Sequence, residues 1–110
     1  MVEYDLQISS RAKADLRSIK KYLKANASDF TAEKVANGIL DQAEKLRKMP
    51  TANSLFPEIS TEERTYRYAG KWKYKIIFYI NEEKKTVNVV KIYHSSRNPD
   101  ALIEEAKGWE

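Results

Sequence analysis

Two apolar stripes at helical spacing, separated by a short break, constrain this chain more than any other feature. Ala12, Leu16, Ile19 and Leu23 fall on one face of a 3.6-residue period, with Arg17, Lys20, Lys21 and Lys24 off it. Ala32, Val35, Ala36, Ile39, Ala43 and Leu46 form the second stripe. Ser9 or Ser10 is placed to cap the first helix, and Asn26 to stop it. Ser28 and Asp29 open the second, and Pro50 predicts its end at Met49, because proline disfavours helical geometry in the residue before it. The pattern therefore predicts helices over 11–26 and 29–49, which a connection of only a few residues should fold into an antiparallel hairpin. Gly38 costs the second helix up to about 1 kcal/mol against alanine. A close approach to the first helix would account for it.

Such a hairpin needs a partner to bury both stripes, and the remaining residues supply a sheet. Tyr4, Leu6 and Ile8 alternate with Asp5 and Gln7, a short strand with one buried face. Residues 50–63, PTANSLFPEISTEE, carry Pro50 and Pro57 and no periodicity, so they read as a connecting loop that Leu55, Phe56 and Ile59 can tack to the core. Three strands follow. The first spans Arg64 to Ala69 and ends at a turn containing Gly70. The second, Tyr74 to Ile80, is continuously apolar and so central, covered on both faces. After the polar turn NEEKK comes TVNVVKIY, Thr86 to Tyr93. The tail HSSRNPDALIEEAKGWE predicts a short helix capped by Asn98 or Asp100, with Pro99 in its first turn. The order is β-α-α-β-β-β: an α+β, two-layer fold in one domain over 1–110, its helical hairpin packed on one face of a small, mostly antiparallel, four-stranded sheet.

Between the helices and the last strands lies RTYRYAGKWKYKIIFYI. Arg64, Arg67, Lys71, Lys73 and Lys75 are interleaved there with Tyr66, Tyr68, Trp72 and Tyr74, with no acid among them. The net charge of +4 permits a polyanionic partner without requiring one. Cysteine is absent, which removes disulfides and thiolate metal sites and fits a cytoplasmic protein. A single histidine without cysteine cannot build a His/Cys zinc site, so neither metal nor cofactor is expected. MVEYDLQISS lacks the pattern of a signal peptide, and no apolar run approaches the roughly 20 residues that span a bilayer.

RAKADLRSIKKYL, AEKVANGILDQAEKLRKMP, KYKIIFYI and VNVVKIYHSSRNP, in that order and spacing, resemble the RelE/ParE superfamily, the toxins of bacterial type II toxin–antitoxin modules. The resemblance runs from Tyr4 to about Pro99, and KLRKMP and YHSSRNP are closer to the ParE branch. It implies a plasmid-stabilisation toxin neutralised by an acidic antitoxin within a hetero-oligomer, away from membranes. ParE-like members are associated with inhibition of DNA gyrase, and RelE-like members with cleavage of mRNA on the ribosome, as mRNA interferases.

The two activities place different demands on the residues. In metal-independent cleavage the ribose 2′-OH attacks the adjacent phosphate, so the protein must move protons and stabilise charge on phosphorus. The resemblance puts Lys75 where the family's nucleases carry a basic residue, and His94 where some ribosome-dependent members carry a functional histidine. In the preceding strand Arg67 is the natural candidate for a phosphate clamp. Ser95 stands where those members carry a tyrosine, which favours the binding reading over the nuclease. Alternation places His94 on one face with Val90 and Ile92, opposite Lys91 and Tyr93. For target or nucleic-acid contact the candidates are Arg64, Lys71, Trp72, Lys73 and Arg97; for the antitoxin, Lys20, Lys21 and Lys24 on the first helix, with exposed Trp72 and Tyr66 as apolar anchors. Each also has a bland reading: solvated cations, a structural histidine at a strand end, and Arg97 anchoring the C-terminal turn.

Overall fold

The computed structural model describes residues 3–109. Strand β1 (Asp5–Ile8) leads into helices α1 (Ser10–Asn26) and α2 (Asp29–Lys45). A 3-10 turn (Pro50–Ala52) and strands β2 (Ser54–Leu55), β3 (Tyr66–Lys71), β4 (Tyr74–Asn81) and β5 (Thr86–His94) follow, then helix α3 (Pro99–Ala106). The sheet order is β1-β5-β4-β3-β2, with β1 parallel to β5 and every other pair antiparallel. None of the helices among the described residues is long and apolar enough to cross a membrane.

Caps fix the helix starts. The Ser9 and Ser28 hydroxyls accept from the N–H groups of Ala12 and Thr31, and the Asn98 side chain accepts from Asp100 N–H. The expected stripes do face the sheet: Ala12, Ile39, Ala43 and Leu46 pack with Ile76, Phe78, Val87, Val89 and Ile92 in one core. On the opposite face Ile59, Tyr66, Ile77, Val90, Tyr93, Leu102 and Trp109 form a second. Central β4 thus sends Ile76 and Phe78 one way and Ile77 the other, all fully buried. Each such side chain contributes about 1.5–3 kcal/mol of burial.

Five features depart from the sequence reading. Helix α2 stops at Lys45 rather than Met49. Its last N–H groups tighten to i−3 bonds, and the Arg47 backbone leaves to pair with Tyr4, its carbonyl accepting from Tyr4 N–H at 2.9 Å. Met49 itself turns left-handed, φ 52. The sheet has five strands, because Ser54 and Leu55 of the supposed loop pair with Tyr68 and Arg67. Of the expected tacks, Ile59 and Phe56 join the second core while Leu55 stays exposed. Gly70 pairs with Lys75 inside the β3–β4 ladder, and the turn is Trp72–Lys73. Gly38 is explained by Trp72: a Cβ there would collide with indole atoms Cη2 and Cζ3 and lie 3.3 Å from Lys71 Cε. Finally, an irregularity in the β4–β5 register between Ile77 and Phe78 leaves Val90 unopposed. This bulge breaks the alternation. Val90 therefore lies with Tyr93 in the second core, on the face opposite Ile92.

Candidate functional site

Alternation along the three long strands sets Tyr68, Lys75 and Tyr93 side by side on the face away from the helical hairpin. Residues 55–58 and the start of α3 rise around them, leaving a cleft of about 290 Å³ that Ser95 and Arg97 also line. Lys75 Nζ lies 4.8 Å from the centre of the Tyr68 ring, which shields one side of the ammonium while its remaining donors stay available. Arg97 Nη2 donates to Glu105 Oε2 at 2.6 Å. Burial pushes the Tyr93 phenol above its ordinary pKa, with nearby Tyr68 adding to the shift. Tyr93 is therefore neutral at physiological pH; it can donate a hydrogen bond but cannot serve as a base. The cleft gathers two cations, Lys75 and the Glu105-paired Arg97, with the Tyr68 and Tyr93 phenols and the Ser95 hydroxyl, while Glu58 adds a carboxylate to its wall.

Through Glu105, Arg97 joins an ion-pair network that the sequence reading missed. Lys91 Nζ is 3.0 Å from Asp15 Oδ1 of α1 and 2.7 Å from Glu105 Oε1 of α3, its side chain only 7% exposed. Asp15 Oδ2 also accepts from Ile92 N–H at 3.0 Å. One lysine thus ties both helical layers to β5. Burial works to raise the Glu105 pKa, but the hydrogen bond and charge of Lys91, aided by Arg97, outweigh it and hold the carboxyl below its ordinary value. A lone lysine inside the apolar run VNVVKIY was the available signal, since a buried ammonium requires carboxylate partners.

The three nuclease candidates do not converge. Lys75 is in the cleft. His94 is on the other face: it packs edge-on against Tyr74, 5.3 Å between ring centres, and Tyr74 packs on the hairpin-side core. Its Nδ1 accepts from Ser96 N–H at 3.1 Å, so the neutral ring carries its proton on Nε2. Arg67 donates through Nη1 to the carbonyls of Thr51 and Asn53 at 3.1 and 2.8 Å, holding the chain that follows α2.

The binding candidates divide likewise. Arg97 joins the cleft. Arg64 lies over the Tyr79 ring, 3.9 Å from its centre. Lys71 and Lys73 flank Trp72, which is 56% exposed. Lys20 pairs with Glu33 of α2 at 2.9 Å and, by that bond, lowers the Glu33 pKa. Arg17, Lys20, Lys21 and Lys24 line one open depression of about 550 Å³ along α1. Tyr66, expected as an exposed anchor, is buried in the second core, edge-on to Tyr79 and Trp109. The α3 layer that covers it lies on the face the reading left open.

A sequence profile of the ParE toxin of the type II toxin–antitoxin system, parDE, matches residues 6–99. No curated protein sequence matches the chain. Among solved structures, the chromosomal ParDE toxin–antitoxin system from P. aeruginosa superposes with a TM-score of 0.67 at 17% identity, covering 84% of this chain and 96% of that one. The RelBE2 toxin–antitoxin complex from Mycobacterium tuberculosis gives 0.66 at 17%, covering 88% and 97%. The archaeal RelE–RelB complex from Pyrococcus horikoshii OT3 gives 0.60 at 16%, covering 88% and 100%. At these identities the likeness establishes the fold.

Proposed function

The chain belongs to the ParE toxin family of type II toxin–antitoxin systems, and from that premise we propose that it acts by binding DNA gyrase and inhibiting it, with no chemistry of its own. The observation that carries this reading is the separation of Lys75 from Arg67 and His94. A nuclease needs its phosphate clamp and its proton-transfer group around one phosphate. Here the cleft holds Lys75 and Arg97, while Arg67 is engaged by two backbone carbonyls and His94 faces the other layer. The partner that silences the toxin is an acidic antitoxin whose disordered segment folds on this surface, with the α1 cations meeting its carboxylates. Lys20 would exchange Glu33 for that partner.

A second reading has its own support. Lys75, Arg97 and Ser95 share a cleft that suits a phosphate, as a ribosome-dependent mRNA endonuclease requires. Expression of the toxin in growing cells separates the two. We expect filamentation and double-strand breaks with intact mRNA, inhibition of purified gyrase, and toxicity retained by Lys75→Ala and Arg67→Ala variants verified as folded. Codon-specific mRNA cleavage, lost by roughly 10²–10³ in Lys75→Ala, would establish the nuclease instead.

A further inference from the structure

Trp72 combines two unfavourable features at one residue. Its indole is 56% exposed, and its backbone is left-handed, φ 53, at the first residue of the β3–β4 turn. A tryptophan gains nothing from either on its own. The surrounding residues nevertheless hold it. Gly38 on α2 leaves room for the benzo edge, where a Cβ would collide with Cη2 and Cζ3. Lys71 Nζ stands over the ring, 4.6 Å from its centre. The indole is thus seated on a helix that gives up a side chain to receive it, with its remaining surface in solvent between Lys71 and Lys73.

We propose that Trp72, seated on Gly38 and flanked by Lys71 and Lys73, is the anchor by which the toxin grips its protein target, an acidic surface with an apolar recess for the indole. This rests on the reading that the toxin acts by binding a protein. A pre-seated aromatic loses little freedom on association, and tryptophan beside cations is the composition of an interface hot spot. The occupant is a protein rather than a nucleic acid because Lys71 covers a ring face on which a base would stack. Under the proposed function the antitoxin takes the α1 cations, which line a separate depression to which the β3–β4 turn contributes no residue, so the turn is left for the target. One surface is thereby left for each of two partners. Gly38 is a positioning residue: it touches no partner and acts through the ring.

The experiment measures gyrase binding, supercoiling inhibition and binding of the adjacent gene's antitoxin for wild type, Trp72→Ala, Gly38→Ala, Trp72→Phe and the Gly38→Ala/Trp72→Phe double variant. Circular dichroism verifies the fold, which alanine in α2 favours. Trp72→Ala should weaken gyrase binding by more than about tenfold. Gly38→Ala should lose as much although the tryptophan remains. On the Trp72→Phe background, which lacks the benzo edge, Gly38→Ala should cost little more. Antitoxin affinity should stay within about twofold throughout. Full inhibition by Gly38→Ala or Trp72→Ala overturns the proposal, and so does a loss confined to antitoxin binding. If the wild type arrests growth without binding gyrase, the gyrase reading fails, and the anchor stands only if both alanine variants abolish arrest. A wild type that does neither overturns both.

Discussion

Lys91 is the residue on which the two layers depend. Its ammonium is compensated by Asp15 and Glu105, and removing one partner leaves a buried charge short of compensation. Asp15→Ala also strips the Ile92 N–H of its acceptor. We expect it to cost about 3 kcal/mol in urea unfolding, and Asp15→Asn, which keeps an acceptor for Ile92, clearly less. Glu105 adds a pH dependence. Its folded pKa is depressed, so its contribution is fully present above the ordinary value of 4.5 and is lost as pH falls through the depressed one. Acid titration followed by near-ultraviolet circular dichroism of Trp109 should therefore show a loosening that starts below pH ~4.5 and disappears in Glu105→Gln. At this scale the sequence was least legible. The cations at 64–75 could be counted, but which face each occupies depends on partners. Tyr66 became core because α3 and Trp109 cover its face, and Arg67 became a brace because Thr51 and Asn53 present carbonyls to it. Asp15 and Glu105 carried no local sign that they would meet one lysine.

The elements themselves were largely readable, because caps and periodicity act locally. Ser9 rather than Ser10 and Asn98 rather than Asp100 cap their helices, Ser28 caps the second, and both apolar stripes face the sheet. The misses arose where tertiary contacts overrode local preference. The end of α2 was set by the pairing of Arg47 with Tyr4, which no helical pattern encodes. Strand β2 is two residues long, too short for alternation to register. The β5 bulge slips the period by one residue, which is enough to move Val90 to the other face. Met49 is exposed, precedes Pro50, and at φ 52 carries the penalty of a left-handed side-chain-bearing residue. Met49→Gly should stabilise the protein by about 0.5–1 kcal/mol, seen as a rise of a few degrees in Tm. An unchanged or lowered Tm would mean that the thioether contributes more than its exposure suggests.

For the whole molecule, the sheet is central and both of its faces are covered, the helical hairpin burying one core and α3 with Trp109 the other. The two-layer α+β order was predictable because amphipathic helices and strands must cover one another. The second cover was not, since the tail's short helix gave no indication of which face it would choose. The parallel pairing of β1 with β5 reaches further than architecture. Residues 5–8 find their partners at 86–89, so the first strand made is completed by the last. On the ribosome the helical hairpin emerges early and local, while β1 waits for nearly the entire chain. Pulsed hydrogen exchange during refolding should protect α1 and α2 amides first and those of Leu6 and Ile8 last; simultaneous protection would contradict this order. A newborn copy of this toxin therefore spends its synthesis without a finished sheet, and the faces of the hairpin that the sheet will bury stay uncovered for that interval.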